Sequence, residues 1–338
     1  MKLLITGGAG YIGSHVVRQL GEAGHDVVVY DKLSTGHRWA VLYGELVEAD
    51  LMDTPRLDAV MAAGRFDAVL HFAAHVVVPE SVADPLKYYR NNTDNTLNLL
   101  DACVRHGVER IVFSSTAAVY GLPENGRVDE QTPLAPINPY GASKMMSERM
   151  ITDLGRAAPL RSVILRYFNV AGADPEGRIG QATPNATHLI KVACEAAAGK
   201  RDGVAVFGTD YDTPDGTCIR DYIHVEDLAA AHVTALEHLG DGGDSLTLNC
   251  GYGRGYSVRE VLETVRRISG RRFPVREAPR RAGDPPALVA ESARIRGALN
   301  WRPRHNDLEE IVATAWRWER RQTAASTDRA GPSTAPPS

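Results

Sequence analysis

The chain has 338 residues, of which 43% are hydrophobic and 24% are charged, so it is long enough to bury a large core and to form a second lobe. Its formal net charge of −4 leaves no broad basic surface for nucleic acid. No apolar stretch reaches the length of about eighteen residues that a membrane span needs, and no charged leader precedes the first strand. We therefore expect a cytoplasmic protein that binds neither membrane nor nucleic acid.

The four cysteines are scattered along the chain, at Cys103, Cys194, Cys218 and Cys250. They form no C-x-x-C pair, and no histidine accompanies them at metal-ligand spacing. We predict reduced, structural thiols and no bound metal.

A glycine-rich loop follows the first predicted strand. Lys2–Thr6 reads as a short apolar strand and Tyr11–Ala23 as an amphipathic helix, with Gly7, Gly10 and Gly13 between them at the spacing G-x-x-G-x-x-G. Glycine is required there because the tight turn uses backbone angles that other residues avoid, and because a pyrophosphate approaches bare backbone at the helix N-terminus. The order predicts a dinucleotide site; the alternative is a glycine-rich turn without a ligand.

An acidic residue ends the second predicted strand. Asp26–Tyr30 places Asp31 where a carboxylate can accept hydrogen bonds from both hydroxyls of an adenosine ribose. Because the same carboxylate would repel a 2′-phosphate, NAD is favoured over NADP. Lys32 and Arg38 keep the phosphate alternative open.

Strands and helices continue to alternate through the first half of the chain. Asp67–Phe72 is predicted as a strand, Asn91–His106 as a helix, and Arg110–Ser115 and Ser162–Arg166 as strands. Alternation of this kind is typical of an α/β fold with a doubly wound, parallel, Rossmann-type sheet. His71, inside a buried strand, is predicted to be a hydrogen-bonded core histidine.

Three residues form a predicted reaction centre. Asn138 can cap a helix that starts at Pro139, which places Tyr140 and Lys144 one turn apart on the same face. A free phenol has a pKa of about 10, and a neighbouring ammonium together with oxidised nicotinamide would lower it. Tyr140 then becomes a general acid and base. Thr116 follows a strand at the carboxyl edge of the sheet, where its hydroxyl can bind the reacting oxygen.

The second half of the chain is predicted to form most of a smaller lobe over the sheet edge. We expect a nucleotide-binding domain over 1–171, an interwoven substrate lobe over 172–321 with segments returning to the first domain, and a disordered tail over 322–338. The predicted elements of this half are the strands Val204–Phe207, Ile219–His224 and Ser245–Asn249 and the helix Val258–Ile268.

Several longer stretches carry a resemblance to a known family. The chain resembles the UDP-glucose 4-epimerases (UDP-galactose 4-epimerases) of the extended short-chain dehydrogenase/reductase superfamily, from Met1 to about Arg320. The matching stretches are TGGAGYIGSH, HFAA followed by VPESV, YYRNNTDNTLNLL, FSSTAAVYG, PYGASK, LRYFNVAGADP, GTDYDTPDGTCIRDYIHVEDLA and APRRAGDPPALVA. The last two of these are far more specific than the glycine loop.

The resemblance implies an NAD-dependent isomerase. In this family the tyrosine, here Tyr140, takes the proton of the sugar 4-hydroxyl while NAD takes the hydride from C4. The 4-keto sugar then turns over and receives the hydride on its other face. Lys144 and Thr116 match the family's lysine and hydroxyl partner. A homodimer is also implied.

The resemblance implies binding residues as well, and bidentate guanidinium groups suit a substrate pyrophosphate. Besides the three loop glycines, the implied cofactor contacts are Tyr11, Ile12, Asp31, Asp50, Leu51, Phe72, Ala73, Ala74, Asn91, Lys144 and Phe168. Besides Thr116 and Tyr140, the implied UDP-sugar contacts are Asn169, His188, Arg220, Arg281 and Asp284.

Two departures from the family leave the substrate range open. Val76 stands where some relatives have a lysine near the cofactor, and Leu288 stands where some have a bulky tyrosine. A smaller side chain at 288 leaves room for an N-acetyl group, so UDP-N-acetylhexosamines, and also UDP-pentoses, are alternative substrates.

Two further alternatives concern the reaction itself. Sugar-nucleotide 4,6-dehydratases follow the threonine with Asp-Glu, whereas Ala117 and Ala118 stand here. A cofactor-sensing protein without turnover would not need a phenol and an ammonium in register, so the isomerase is favoured over both.

Overall fold

A computed structural model describes residues 1–281 and 283–329, with side chains up to residue 323. The strands are β1 (Lys2–Thr6), β2 (Asp26–Asp31), β3 (Glu45–Glu48), β4 (Ala68–His71), β5 (Arg110–Thr116), β6 (Arg127–Val128), β7 (Arg161–Tyr167), β8 (Asn169–Ala171), β9 (Val204–Phe207), β10 (Ile219–His224), β11 (Leu246–Cys250), β12 (Gly255–Ser257), β13 (Val275–Ala278) and β14 (Ala287–Ala290). The helices are α1 (Tyr11–Glu22), α2 (Thr54–Gly64), α3 (Val78–Ala83), α4 (Pro85–Tyr88), α5 (Asn95–Arg105), α6 (Pro139–Ala157), α7 (Leu189–Ala197), α8 (Val225–Gly240), α9 (Val258–Ser269), α10 (Ala293–Ala298) and α11 (Leu308–Arg329). Short 3₁₀ turns cover Arg38–Ala40 and Ala117–Val119, and a π-helical turn covers Tyr89–Asp94.

The main sheet is parallel throughout and has the strand order β11-β7-β5-β4-β1-β2-β3. This confirms the predicted doubly wound α/β fold. The chain runs outwards from β1 in one direction through β2 and β3, and then in the other direction through β4, β5 and β7. The order therefore reverses between β1 and β4, and the crevice outside the carboxyl ends of these two strands is where ligands bind in such sheets.

Two apolar layers cover the two faces of this sheet. Leu3 and Ile5 pack with residues of α1 and α8 on one face, and Leu4 packs with residues of α2, α5 and α6 on the other. Alternate residues of β1 thus lie in opposite layers, and neither face of the strand is left to solvent, as is typical of buried parallel strands. Each fully buried side chain of this size contributes roughly 1.5–3 kcal/mol.

A smaller sheet orders β12-β10-β14-β6, with β8 paired to β10, and a two-stranded sheet joins β13 to β9. The late strand β11 pairs with β7 in the main sheet, and α8 packs against α1. Segments from the second half therefore return to the first, as expected. The division at residue 171 stays a prediction.

Helix α11 continues to Arg329, and residues 330–338 lie outside the described residues. The disordered tail over 322–338 stays a prediction. One predicted boundary was wrong. The helix predicted to begin at Asn91 instead follows α4 through the π-helical turn, and Asn91 lies within that turn. Such turns inside helices occur frequently at functional sites.

The four cysteines are all buried and unpaired, as predicted for reduced, structural thiols. Among the described residues, no helix is long and apolar enough to cross a membrane, and no group of histidine, cysteine and acidic side chains could hold a metal ion.

Candidate active site

The glycine loop has the shape that a dinucleotide site needs. Gly7 has φ 72°, and a Cβ at Gly13 would lie 2.3 Å from the Gly7 carbonyl oxygen. Gly10 occupies the N-cap of α1, and no side chain caps that helix. The first amides of α1 therefore remain available to a pyrophosphate at the positive end of the helix, and the residues present fit NAD.

The carboxylate of Asp31 is fixed beside this loop. It accepts hydrogen bonds from the backbone amides of Ala9 at 3.0 Å and Leu33 at 2.8 Å. Burial raises the pKa of Asp31, and both amide bonds oppose that rise. Asp31 thus lies at the carboxyl end of β2, adjacent to the loop, where the ribose partner was predicted.

Both cations that could favour a 2′-phosphate are already paired. The Lys32 ammonium lies 3.0 Å from Asp50 Oδ2 and 2.7 Å from Asn91 Oδ1, and Arg38 pairs with Glu48. Burial would raise the pKa of Asp50, but hydrogen bonds from the Met52 amide and Lys32 outweigh it and lower the pKa. This pairing favours NAD over NADP.

The predicted cofactor contacts Phe72, Ala73 and Ala74 follow β4 at the carboxyl edge of the sheet, and Asn91 lies in the π-helical turn. A Cβ at Gly7 would lie 2.5 Å from the Ala73 nitrogen, so the ends of β1 and β4 meet closely there. Asn91 donates to Asn92 Oδ1 at 3.0 Å. Leu51 and Phe168 are buried, whereas Phe72 and Ala74 are partly exposed.

Asn92 was not predicted as a site residue. This side chain is 2% exposed, accepts from the His75 amide at 2.8 Å, and donates to the His75 carbonyl and to Ser143 Oγ, both at 3.0 Å. It therefore joins the segment after β4 to α6 next to Lys144. Two successive asparagines inside a predicted helix were the available signal, because a buried amide must find partners.

The predicted reaction centre is assembled at the carboxyl end of β5. Asn138 caps α6 by accepting from the Gly141 amide at 2.9 Å, and Pro139 is the first residue of the helix, as predicted. Tyr140 and Lys144 are both buried on this helix. The Lys144 ammonium donates to the Ser114 carbonyl at 2.8 Å and lies 4.7 Å above the ring of Phe113. Thr116 accepts from the Ala118 amide at 3.1 Å, and its hydroxyl is near enough to the Tyr140 phenol to act on the pKa of that phenol.

The electrostatics of the protein alone differ from the expectation for Tyr140. Burial raises the pKa of this phenol above its usual value, and the nearby hydroxyl of Thr116 only partly opposes the rise. Burial also lowers the pKa of Lys144 to about 7, against the negative charge of Glu148. The protein alone thus does not lower the pKa of Tyr140, because desolvation also disfavours the charged form of the neighbouring Lys144.

Three of the predicted substrate contacts, Arg220, Arg281 and Asp284, form an ionic cluster. Arg220 Nη2 lies 3.7 Å from Asp284 Oδ1, and Arg281 Nε lies 3.0 Å from Asp284 Oδ2. Arg220 Nη1 also donates to the Pro285 carbonyl at 2.8 Å, and Arg281 stacks on the ring of Phe207 at 4.6 Å. The two arginines predicted to bind the substrate diphosphate are thus both paired with Asp284, which is itself a predicted substrate contact.

The other residues that were predicted to contact or limit the substrate lie on β8, before α7 and on β14. Asn169 begins β8 and pairs with Tyr222 of β10, close in sequence to Arg220. His188 precedes α7, and its Nδ1 lies 2.9 Å from Gln181 Nε2. Leu288 is opposite Arg220 in the register of β10 and β14 and packs on the cluster that contains Ala117 and Phe168.

Comparisons with known proteins agree with this geometry. Residues 3–251 match the model of the NAD dependent epimerase/dehydratase family. The UDP-glucose 4-epimerase of Azospirillum brasilense is 62% identical over 94% of this chain and 92% of its own length. The crystal structure of the Brucella ovis UDP-glucose 4-epimerase in complex with NAD has a TM-score of 0.91 at 49% identity, covering 94% of this chain and 98% of that one.

A structure with a bound UDP-sugar is also similar. The UDP-glucose 4-epimerase of Stenotrophomonas maltophila, with bound NAD and formylated UDP-arabinopyranose, has a TM-score of 0.92 at 40% identity and covers 96% of this chain and 99% of that one. This chain therefore belongs to the NAD dependent epimerase/dehydratase family.

Proposed function

We infer that this protein is an isomerase that uses NAD to interconvert UDP-glucose and UDP-galactose at C4. The observation that carries this inference is the buried pair of Tyr140 and Lys144, one turn apart on α6, at the carboxyl end of a sheet whose glycine loop fits NAD. The relatives and solved structures that match nearly the whole chain include several UDP-glucose 4-epimerases, which supports the same reaction.

The chain's own residues supply the proton chemistry. When bound, NAD would accept the hydride of C4 and return it. Tyr140 takes the proton of the 4-hydroxyl and later gives it back, and Thr116 holds the same oxygen by hydrogen bonding. Because burial raises the pKa of Tyr140, the phenol stays protonated until the positive charge of oxidised nicotinamide adds to that of Lys144 beside it. Transfer of the proton is therefore linked to the presence of oxidised cofactor.

Recognition of the substrate would fall to the arginines. Arg220 and Arg281 carry fixed positive charge, and each can bind a diphosphate oxygen through a charge-assisted hydrogen bond. In the present arrangement Asp284 neutralises both. A UDP-sugar would replace this carboxylate with a doubly charged group, and Asp284 would be released to accept hydrogen bonds from the ligand.

A homodimer is the expected assembly. Leu97 and Val104, seven residues apart on α5, are 54% and 52% exposed, and Met146 on α6 is 41% exposed. Apolar side chains in these numbers on adjoining helices favour burial against a second copy. Substituting Leu97 by Glu should convert the dimer to a monomer in light scattering. We keep the cytoplasm as the expected location and galactose metabolism as the expected role.

The reaction is tested by incubating purified protein with UDP-galactose and no added reductant. UDP-glucose should accumulate to an equilibrium mixture without net NADH in solution. Consumption of external NAD in proportion to product would point to a dehydrogenase, and a 4-keto-6-deoxy sugar would point to a dehydratase. The Tyr140→Phe variant is the matched control, because it keeps the ring and removes the proton donor.

A further inference from the structure

A buried ion pair lies beneath the reaction centre. Glu148 is 4% exposed and follows Lys144 by one turn on α6. Its carboxylate accepts from Arg166 Nη2 at 2.6 Å, from Arg166 Nε at 3.0 and 3.1 Å, and from the hydroxyl of Ser115. Both oxygens of the Glu148 carboxylate therefore accept hydrogen bonds, and the guanidinium group of Arg166 donates to both of them.

The partners of Glu148 lie in one row across the main sheet. Ser115 of β5 is opposite Arg166 of β7, and Arg166 is opposite Asn249 of β11. Arg166 Nη1 donates to the Tyr120 hydroxyl at 3.0 Å, and that hydroxyl donates to Asn249 Oδ1 at 2.6 Å. The Glu148 carboxylate on α6 is thus connected through hydrogen bonds to the adjacent strands β5, β7 and β11. On β5 the connection is made at Ser115, one residue before Thr116.

The inferred isomerase needs this helix in one position and needs Lys144 charged. An ammonium transferred from water into a dry site is penalised unless negative charge is close. Lys144 is 3% exposed, and its hydrogen bond goes to a neutral carbonyl, that of Ser114. Glu148 is the carboxylate whose charge favours the ammonium form of Lys144.

We propose that Glu148, held by Arg166 and Ser115, is a positioning residue that fixes α6 on the sheet edge and keeps Lys144 in its ammonium form. The assignment rests on the inferred role of Lys144. It predicts that a change in the charge at 148 acts on the titration of Lys144 and not only on the stability of the fold.

The other groups around Lys144 do not supply this charge. His71 on β4 is buried between Thr6 and Thr96, and burial followed by the charge of Lys144 lowers its pKa to about 3, so it is neutral at neutral pH. Tyr140 on α6 is a neutral phenol in the protein alone, and Phe113 on β5 offers only its ring face. Arg166 on β7 is cationic and directed at Glu148.

The test follows the side chain of Lys144 directly. The chain has only six lysines, so ¹³Cε-labelled lysine gives few NMR signals, and the signal of Lys144 can be assigned with Lys144→Met. We expect Glu148→Gln to lower the midpoint of the Lys144 titration by about one pH unit or more, and Glu148→Asp, which keeps the charge at a greater distance, to lower it less. The basic limb of the kcat profile should move to lower pH by the same amount, with KM changed less than about twofold.

Glu319→Gln is the matched control, because Glu319 is also a buried carboxylate, 1% exposed and 2.5 Å from the ammonium of Lys191. It should shift the signal of Lys191 and leave that of Lys144 unchanged. An unchanged Lys144 midpoint in the Gln and Asp variants would overturn the proposal. If Glu148→Gln does not fold, an unchanged midpoint in Glu148→Asp alone is sufficient to overturn it. The NMR readout needs no turnover, so it is independent of whether the inferred reaction is correct.

Discussion

On the Rossmann side of the crevice, the side chains that carry the chemistry are buried and tied to the sheet, whereas on the substrate side the arginines are partly exposed and paired with a single carboxylate. Lys144 and Tyr140 are 3% and 7% exposed. The side chains of Arg220 and Arg281 are 13% and 47% exposed, and both contact Asp284. The chemical half is therefore fixed before any ligand arrives, while the recognition half is held by ion pairs that an anion can displace.

The largest effect is expected on the fixed side. Tyr140→Phe removes the only proposed proton donor and acceptor and keeps the buried ring, so kcat should fall roughly a hundred- to ten-thousand-fold. Bound NAD, measured by absorbance after release from the protein, should remain at the wild-type level. Wild-type kcat in this variant would remove Tyr140 from its role.

On the displaceable side, the effect should appear in KM. Each arginine supplies a charge-assisted hydrogen bond to the substrate, which contributes about 1.5–3 kcal/mol. Arg220→Met and Arg281→Met should therefore raise KM for UDP-galactose by about ten- to a hundredfold, with the larger rise at the less exposed Arg220. Arg280→Met is the control, because Arg280 is directed at Asp210 and the Tyr211 ring. An equal rise in the control would mean that the effect is not specific.

Within the Rossmann side, local and long-range features differ in how far the sequence could predict them. The glycine loop, the Asn138 cap and the position of Lys144 follow from local patterns, because turn geometry and helix capping depend on residues close in the chain. The row of Ser115, Arg166 and Asn249 could not be predicted, because it depends on the register of three strands that are far apart in sequence. The pairing of Lys32 with Asp50 and Asn91 could not be predicted either, because it also joins segments that are distant in sequence.

Burial also explains why the protein without its cofactor does not lower the pKa of Tyr140; the lowering predicted with oxidised nicotinamide present stays a prediction. The spacing Tyr-x-x-x-Lys places a cation near the phenol, but it does not reveal that both groups are buried away from solvent. Desolvation raises the pKa of the phenol and lowers that of the ammonium, opposite to the effect of their proximity. Residue spacing gives the geometry, whereas the dielectric surroundings come from the tertiary fold.

The buried side should also show a pH dependence of stability. Burial lowers the pKa of His232 to about 4, and its Nδ1 lies 2.9 Å from the Leu228 carbonyl oxygen. The unfolded chain therefore binds one more proton than the folded one between pH 6.5 and about 4. The contribution of His232 is fully present above pH 6.5 and is lost as the pH falls, at about 1.4 kcal/mol per pH unit.

His232→Phe keeps a ring beside Phe72 and abolishes this titration. Denaturant unfolding from pH 7 to 4 should show a shallower fall of the unfolding free energy in the variant, by about the slope of one proton. Parallel curves for the two proteins would mean that His232 is charged in the folded state.

The smallest effect is expected at the rim between the two sides. Leu288→Tyr adds bulk opposite Arg220 in the register of β14 and β10. It should lower the kcat/KM ratio of UDP-N-acetylgalactosamine to UDP-galactose by about tenfold, because a steric contact discriminates only modestly. An unchanged ratio would show that this side chain does not limit the size of the sugar.

The central claim is that the hydrogen of C4 leaves and returns within one turnover. UDP-galactose deuterated at C4 tests it most directly, with the product analysed by mass spectrometry and ¹H NMR. The account predicts UDP-glucose that keeps the deuterium at C4 in ordinary water, with none appearing in solvent or in added NAD. Loss of the label to solvent would contradict it, because the C4 hydrogen would then have been exchanged as a proton.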